Sequence, residues 1–241
     1  MPVLEVNHLS KSFGGLKAVN NLDFYVNEGE ILGLVGPNGS GKTTTFNLIL
    51  GTQKPDSGSI FFKGKNQVGL RPYEICRHGL ARTFQLTKPF SGITVFENVK
   101  VAAFNITKNT VEASKRALEM LEFLRLSELR NQLAKKLTIP QRKYLELARA
   151  LATKPEILFL DEPIGGLNEA ETDEMMELVR LINNQGITIV AIEHVMRAIM
   201  SLSSRIIVLN YGEKIAEGTP IEVSRDERVI NSYLGEEYTF A

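Results

Sequence analysis

A glycine-rich segment between two apolar stretches restricts the fold of this chain more than any other feature. Residues 36–43 read GPNGSGKT and fit the pattern G-x-x-x-x-G-K-[ST]. A strand is predicted before the segment, at 30–35, and a helix over 41–50. Glycine lets consecutive backbone N–H groups turn towards one centre, and a helix N-terminus adds unpaired donors and a partial positive charge. The pattern therefore predicts an α/β fold with a phosphate-binding loop.

Two side chains of this loop predict that the bound phosphate belongs to a magnesium nucleotide. Lys42 can neutralise the terminal phosphates, and the Thr43 hydroxyl is the kind of oxygen that ligates Mg2+. A guanine nucleotide is not predicted, because the nearest matches to the guanine-reading pattern N/T-K-x-D, at 87–90 and 153–156, lack the aspartate. The residues predicted to bind the nucleotide are Gly36, Pro37, Asn38, Gly39, Ser40, Gly41, Lys42, Thr43 and Thr44.

A pair of acidic residues follows another apolar strand, predicted at 157–160. Asp161 and Glu162 stand where that strand ends. Ligands of open parallel sheets bind beyond the carboxyl ends of the strands, so we expect both acids beside the phosphate-binding loop. Asp161 is predicted to hold Mg2+ through water, and Glu162 to orient or deprotonate an attacking water. The simpler alternative is a solvated acidic turn.

Strand and helix signals divide the chain into an α/β core and an inserted helical lobe. Alternating strands and helices after Pro155 indicate a parallel sheet with crossover helices. Between about 87 and 149 apolar residues recur at helical spacing instead. We therefore predict a core formed by 1–85 and 150–241, and a helical lobe at 86–149. The predicted strands are 3–6, 22–26, 30–35, 59–62, 157–160, 188–192 and 206–209.

Composition excludes several classes of protein. The 28 basic and 28 acidic residues cancel, which gives no electrostatic footprint for nucleic acid. Cys76 is the only cysteine of the 241 residues, so an internal disulfide and a cysteine-rich zinc site are excluded. No apolar run approaches the ~18 residues of a membrane span, and no secretory signal is visible. We expect a soluble protein of a reducing compartment that serves a membrane only through a partner.

These motifs, in this order, resemble the nucleotide-binding subunit of an ABC transporter over nearly the whole chain. The resemblance implies a P-loop ATPase core with a mostly parallel sheet, an N-terminal antiparallel β subdomain and an inserted α-helical lobe. It also implies that His194 and Gln85 are catalytic residues beside Glu162. Gln85 would help to hold the catalytic Mg2+, His194 would contact the γ-phosphate of ATP, and Phe13 would stack on adenine. Taken singly, Gln85 could be solvated, His194 could cap a helix, and Phe13 could fill core beside Leu9 and Val19.

The signature of that family, L-S-G-G-Q, binds the ATP held by the facing subunit and is altered in this chain. In its place stand Leu137, Thr138, Ile139, Pro140 and Gln141. Thr138 and Gln141 form a capping-box pattern, and Pro140 falls in the first turn, so the helix is expected to persist. Proline lacks the backbone N–H that the family offers to the γ-phosphate, a loss of about 1.5–3 kcal/mol. We expect a weakened signature, unless a shifted backbone compensates.

Several segments are similar to the first ATPase subunit of branched-chain amino acid (LIV-type) importers; these are 90–99, 193–197, 209–220 and 233–236. The resemblance implies permease membrane subunits and a second ATP-binding subunit, like or unlike, as partners. An external binding protein would act indirectly. The resemblance also implies that the chain is a peripheral subunit at the cytoplasmic face of the plasma membrane and that it uses ATP and Mg2+.

Two alternatives remain at the level of function. One is a soluble ABC-type ATPase acting on ribosomes or DNA, a class that usually has two cassettes or a long coiled-coil insertion. The other is a nucleotide-gated subunit of a heterodimer that binds ATP but hardly hydrolyses it. Glu162 argues against weak hydrolysis at the site built on this phosphate loop, and Pro140 argues for it at the site across the dimer.

Overall fold

The computed structural model describes residues 2–85 and 88–233. The strands are β1 (Pro2–Phe13), β2 (Leu16–Asn27), β3 (Ile31–Val35), β4 (Ser57–Phe62), β5 (Lys65–Asn66), β6 (Leu80–Arg82), β7 (Ile157–Asp161), β8 (Thr188–Ile192), β9 (Arg205–Asn210) and β10 (Glu213–Gly218). The α-helices are α1 (Lys42–Ile49), α2 (Pro72–Arg77), α3 (Val95–Ala103), α4 (Thr110–Phe123), α5 (Ile139–Ala152), α6 (Glu169–Asn184), α7 (Met196–Leu202), α8 (Pro220–Ser224) and α9 (Glu227–Tyr233). Single 3-10 turns lie at Ser127–Leu129 and Ala134–Lys136.

The strands form two sheets. Strands β2, β1, β4 and β5 pair in that order as an antiparallel sheet, and β10, β9, β3, β8, β7 and β6 form the core sheet. Neighbouring strands of the core sheet run parallel from β9 to β6, whereas β10 pairs with β9 in the antiparallel direction. The predicted fold, a mostly parallel sheet with an N-terminal antiparallel sheet and inserted helices, is confirmed.

The parallel strands of the core sheet, β3 and β6 to β9, send alternate side chains into two apolar clusters. On β7, Leu158 and Leu160 belong to a cluster that includes residues of α3 to α7. Ile157 and Phe159 belong to a second cluster, which the core sheet shares with α1 and the antiparallel sheet. Phe159 meets Phe46 of α1 edge to face, with ring centroids 5.0 Å apart. Burial on both faces explains why the core strands read as continuous apolar runs.

The helical lobe follows β6 and consists mainly of α3, α4 and α5. Capping side chains fix where its helices begin: Thr94 accepts from the Glu97 N–H, and Asn109 accepts from the first turn of α4. Helix α5 ends at Ala152, beyond the predicted boundary at 149, and its buried face lies in the same cluster as the core sheet. The helix therefore joins the lobe to the sheet, and the division at 86–149 stays a prediction.

The two N-terminal strands are longer than the predicted 3–6 and 22–26. Register shifts interrupt the pairing of β1 with β2, and His8 and Asn21 have positive φ angles of 50° and 47°. These irregularities break the period-two pattern by which a strand is predicted, so only the regular part of each strand was foreseen.

Two further expectations, the segment 233–236 and the lack of a membrane-spanning helix, can be compared with the structure only within the residues that it describes. Of the segment 233–236, only Tyr233, the last residue of α9, lies within them. Among 2–85 and 88–233, no helix combines the length and the apolar character that crossing a bilayer requires.

Candidate functional site

The segments that carry the predicted phosphate-binding, metal-binding and catalytic residues leave the core sheet at one edge, whereas Phe13 and the signature residues 137–141 lie on other elements. Strands β3, β8, β7 and β6 are neighbours in that order and run parallel. The glycine-rich loop 36–43 follows β3, His194 follows β8, the Asp161–Glu162 pair ends β7, and Gln85 follows β6. Parallel strands bring distant parts of the sequence to one edge, so the fold itself assembles this site.

The glycine-rich loop has a backbone that side chains would obstruct at two positions. Gly36 and Gly41 have φ angles of 149° and 103°. A Cβ on Gly36 would lie 2.1 Å from the Leu209 carbonyl oxygen, and one on Gly41 would lie 2.3 Å from the Ala18 carbonyl oxygen. Since real atoms do not approach so closely, the loop is packed against β2 and β9 through positions that require glycine.

Lys42 and Thr43 begin α1, and their side chains lie in different surroundings. The buried Lys42 ammonium donates to the carbonyl oxygens of Gly36 and Pro37, at 2.6 and 2.9 Å. Lys42 therefore folds back over its own loop, where its charge is available to a phosphate. Thr43 is exposed, and the buried Ser40 hydroxyl has no hydrogen-bond partner among the described residues. Such an unpartnered polar atom within the loop fits a polar ligand.

Glu162 is the centre of a small hydrogen-bonded group. Its Oε1 lies 2.7 Å from His194 Nε2, and its Oε2 accepts from the Gln85 amide at 2.7 Å. The structure thus brings together the three residues predicted to be catalytic. Both carboxylate oxygens are engaged, so the group is held in one orientation from two sides.

Asp161 is buried beside a basic residue that the sequence analysis gave no role. Arg82 of β6 donates to Asp161 Oδ2 at 2.7 Å and to Asn47 Oδ1 at 2.8 Å, and its guanidinium stacks over the ring of Phe84. Burial raises the pKa of Asp161, and the charge of Arg82 opposes that rise. Asp161 Oδ1 is buried and has no hydrogen-bond partner in the described part of the chain. One oxygen is fixed, and the other remains for a ligand.

The residues predicted to hold Mg2+ share one opening. An open pocket of about 420 Å³ is lined by Thr43, Gln85 and Asp161 together with Arg82. A hydroxyl, an amide and a carboxylate are the oxygen ligands that Mg2+ takes alongside substrate phosphates. The unpartnered Asp161 Oδ1 supports the fit of Mg2+ to this pocket. In the described ranges, no group of three His, Cys, Asp or Glu side chains forms a metal site by itself.

A second buried acid, Glu193, lies directly behind the Glu162 group. Its two oxygens accept from the backbone N–H groups of Ile164 and His194, at 2.8 and 3.2 Å. Burial is the main cause that raises its pKa to about 7, and the two N–H donors oppose the rise. Lys143 of α5 faces both Glu193 and Glu162; burial lowers the pKa of Lys143, while the two acids oppose that shift.

The altered signature forms the first turn of α5, as the capping pattern predicts. Thr138 Oγ1 accepts from the Gln141 N–H at 3.5 Å, and Gln141 Oε1 accepts from the Thr138 N–H at 3.0 Å. Leu137 is buried, whereas the Ile139 side chain is 59% exposed and precedes Pro140. The helix start thus presents a branched apolar side chain and a proline where the family pattern has two glycines.

Phe13 ends β1 and is half exposed, with the Lys11 ammonium 5.6 Å from its ring centroid. The following strand, β2, contributes the Ala18 carbonyl that lies against Gly41. Phe13 is therefore close in sequence to the strand that supports the phosphate loop. Its contact with adenine stays a prediction.

Three site residues were missed by the sequence analysis: Arg82, Lys143 and Glu193. Arg82 ends the short strand β6, which the sequence analysis did not predict; recognising that strand would have pointed to Arg82, because a buried charge needs a partner. Lys143 and Glu193 gave no such signal, since their partners lie 19 and 29 residues away on other elements.

The carboxyl ends of the parallel strands carry a glycine-rich loop, a buried aspartate and a glutamate hydrogen-bonded through both oxygens. This combination defines a P-loop nucleotide-binding protein. A family model described as "ABC transporter" matches residues 19–165, and the chain belongs to this family. A second model, described as "Branched-chain amino acid ATP-binding cassette transporter", matches 213–239.

Two similar proteins carry the name of a high-affinity branched-chain amino acid transport ATP-binding protein. The chain is 43% identical to LivG of Salmonella typhimurium over 98% of both chains. It is 39% identical to BraF of Pseudomonas aeruginosa, again over 98% of both chains. Resemblance to this group of ATP-binding subunits, predicted from the sequence, is confirmed.

Two solved structures resemble this fold. The ADP conformation of an ATP-binding cassette of an ABC transporter has a TM-score of 0.89 at 32% identity and covers 98% of this chain and 100% of that one. A dimeric cassette bound to ADP and Pi, in a post-hydrolysis state, has a TM-score of 0.81 at 28% identity and covers 90% and 98%. Nucleotide binding and dimer formation are thus properties of the cassettes that this chain resembles.

Proposed function

We propose that this chain is the ATP-hydrolysing subunit of an ABC importer for branched-chain amino acids. The observation that carries the proposal is the Glu162 carboxylate, held by His194 and Gln85 at the sheet edge where the phosphate loop also ends. The relatives LivG and BraF support the choice of cargo, and the family model over 213–239 supports it independently.

In the proposed reaction, Glu162 acts as the general base for one water molecule. The water oxygen forms a bond to the γ-phosphorus, the bond from that phosphorus to the β–γ bridging oxygen breaks, and a water proton passes to the carboxylate. Lys42 and the loop N–H groups bind the phosphates. His194 orients the carboxylate and contacts the γ-phosphate. When bound, Mg2+ would neutralise phosphate charge, and Thr43 and Gln85, with Asp161 through water, would hold it.

In the proposed mechanism, Gln85 makes the Glu162 carboxylate available as a base only when the nucleotide binds. Its amide now donates to Glu162 Oε2, so this oxygen cannot take a proton from water while that contact persists. We infer that Gln85 leaves the carboxylate when the nucleotide binds, and that its amide would then be able to help hold Mg2+. Because Gln85 directly precedes the helical lobe, the same movement would report the bound state to a permease that contacts the stretch 85–99.

The proposed assembly is a dimer of ATP-binding subunits on a pair of permease chains. Each ATP would lie between the phosphate loop of one subunit and the signature of the other. Here the Gln141 N–H is engaged by Thr138, and Pro140 supplies no N–H, so this signature offers fewer donors than the family pattern. The proposal therefore includes two unequal sites, a full phosphate-loop site here and a weaker one on the partner.

Substitution of the base tests the enzymatic part of the proposal. Glu162→Gln should lower ATP turnover by about 10²–10⁴-fold with little change in MgATP affinity, because the amide cannot accept the proton. ATP-dependent dimerisation should persist or increase. Glu122→Gln, an exposed glutamate of α4, is the matched control and should keep the wild-type rate. Wild-type turnover by Glu162→Gln would remove Glu162 from the mechanism.

Isolation of the native complex tests the transport part. Gentle detergent extraction should recover this chain with hydrophobic permease chains and a second ATP-binding subunit. Reconstituted in proteoliposomes, the complex should hydrolyse ATP faster when an external binding protein loaded with leucine, isoleucine or valine is added. Recovery with ribosomes or DNA instead would favour a soluble ABC ATPase.

A second candidate function is that of a nucleotide-gated subunit with weak hydrolysis, and Pro140 favours it for the partner's site. Glu162→Gln separates the two. A binder would show no basal turnover to lose, and the substitution would trap no additional dimer.

A further inference from the structure

Lys143 lies in the second turn of α5, and its amino group is buried against the strand that ends in the catalytic pair. The residue is 9% exposed, an unusual degree of burial for lysine. Its Nζ donates to the main-chain carbonyl oxygen of Glu162 at 3.0 Å. A side chain of the signature helix thus contacts the backbone of the proposed general base.

The Glu162 backbone has a conformation that needs such support. Its φ angle is 51°, in the left-handed region that residues with a Cβ rarely adopt. The N–H of Glu162 donates to the Ile192 carbonyl at 3.0 Å, and its carbonyl also receives the Gly165 N–H at 3.3 Å. A left-handed residue persists where its surroundings fix it, and here the strand on one side and Lys143 on the other hold both ends of the residue.

The charge around Lys143 fits this position. Glu193 and Glu162 face the ammonium, and Glu193 in turn accepts from the Ile164 N–H, two residues after Glu162. The bond to the Glu162 carbonyl and the negative charges of the two acids offset part of the cost of burying the ammonium. The ammonium thus contacts the loop after β7 directly, and it acts on Glu193, which begins the loop after β8, through its charge.

We propose that Lys143 is a positioning residue that holds the main chain of Glu162, and so aims its carboxylate. The inference rests on the role of Glu162 proposed above. Because residues 138–141 begin the same helix, α5 joins the signature offered to the facing subunit to the base of this subunit's own site. A displacement of about 1 Å at a reacting group can cost as much as 100-fold in rate.

Turnover of Lys143→Met tests the inference with the purified full-length chain. The substitution removes the donor and the charge but keeps an unbranched side chain, and it should lower kcat by about 10–100-fold with KM for MgATP within about twofold. Lys143→Arg, which retains a long cationic donor, should keep kcat within about threefold. Lys115→Met, at an exposed lysine of α4, is the matched control and should behave as wild type.

A double substitution separates positioning from a general loss of structure. If Lys143 acts through the Glu162 carboxylate, Lys143→Met should not lower the residual rate of Glu162→Gln any further. If the losses of rate of the two single variants add in the double variant, Lys143 has a structural role and the inference is overturned. The same holds if Lys143→Met weakens MgADP binding by the same factor as it lowers kcat. Should Lys143→Met fail to fold, Lys143→Gln, which keeps an N–H donor of shorter reach, undergoes the same comparison.

The outcomes also separate this inference from the proposed function. A Glu162→Gln variant that hydrolyses ATP at the wild-type rate overturns the role of Glu162 itself. A Glu162→Gln variant that is inactive beside a fully active Lys143→Met overturns only the positioning role of Lys143.

Discussion

The buried Glu193 should make the stability of this protein fall as the pH rises from 5 to 8. The side chain is 4% exposed, and burial raises its pKa from 4.5 to about 7 despite the N–H donors of Ile164 and His194. An acid with a raised pKa binds more protons in the folded than in the unfolded chain. Its contribution is therefore complete below pH 4.5 and is lost as the pH rises through 7.

Glutamine at position 193 removes this ionisation with little change in shape. Between pH 5 and 8 the difference between a pKa of about 7 and one of 4.5 corresponds to about 2–3 kcal/mol of unfolding free energy. The stability of the wild type minus that of Glu193→Gln should therefore decrease by that amount over this range.

Urea denaturation of both chains at pH 5 and 8 measures the difference. Glu128→Gln, at an exposed glutamate, is the control and should follow the wild-type pH dependence. Equal stability differences at both pH values would show that Glu193 is ionised throughout and that Lys143 compensates its charge. A difference that grew with pH would refute the reasoning outright, since it would require a lowered pKa.

Three further predictions follow from other contacts of the site. Arg82→Met should lower the unfolding free energy by about 3–5 kcal/mol in urea denaturation, because it leaves the buried Asp161 carboxylate without its partner; a loss below about 1 kcal/mol would contradict this. Gly41→Ala should abolish MgADP binding in calorimetry, since its Cβ would meet the Ala18 carbonyl at 2.3 Å, and retained affinity would show that the loop adapts. Pro140→Gly should strengthen ATP-dependent dimerisation by about 10–100-fold in analytical ultracentrifugation, and no gain would mean that the altered signature already binds.

Local patterns were sufficient for the parts of this protein that depend on neighbouring residues. The loop 36–43, the capping box that begins at Thr138 and the strand that ends in Asp161 were all predicted, and each is a matter of backbone conformation over a few residues. The fold class followed from the alternation of strands and helices, because that alternation permits few sheet topologies.

The tertiary structure decided what depends on residues distant in sequence. The sheet order placed β3, β8, β7 and β6 side by side, and only this order brings the Gln85 amide and the His194 ring to the two oxygens of Glu162. The tertiary structure likewise pairs Arg82 with Asp161 and Lys143 with the Glu162 carbonyl. Sequence alone thus determined which chemical groups this protein has and the local shape of its phosphate loop. Their orientation and charge depend on burial and on contacts made only when the strands pair, so the folded chain alone decides them.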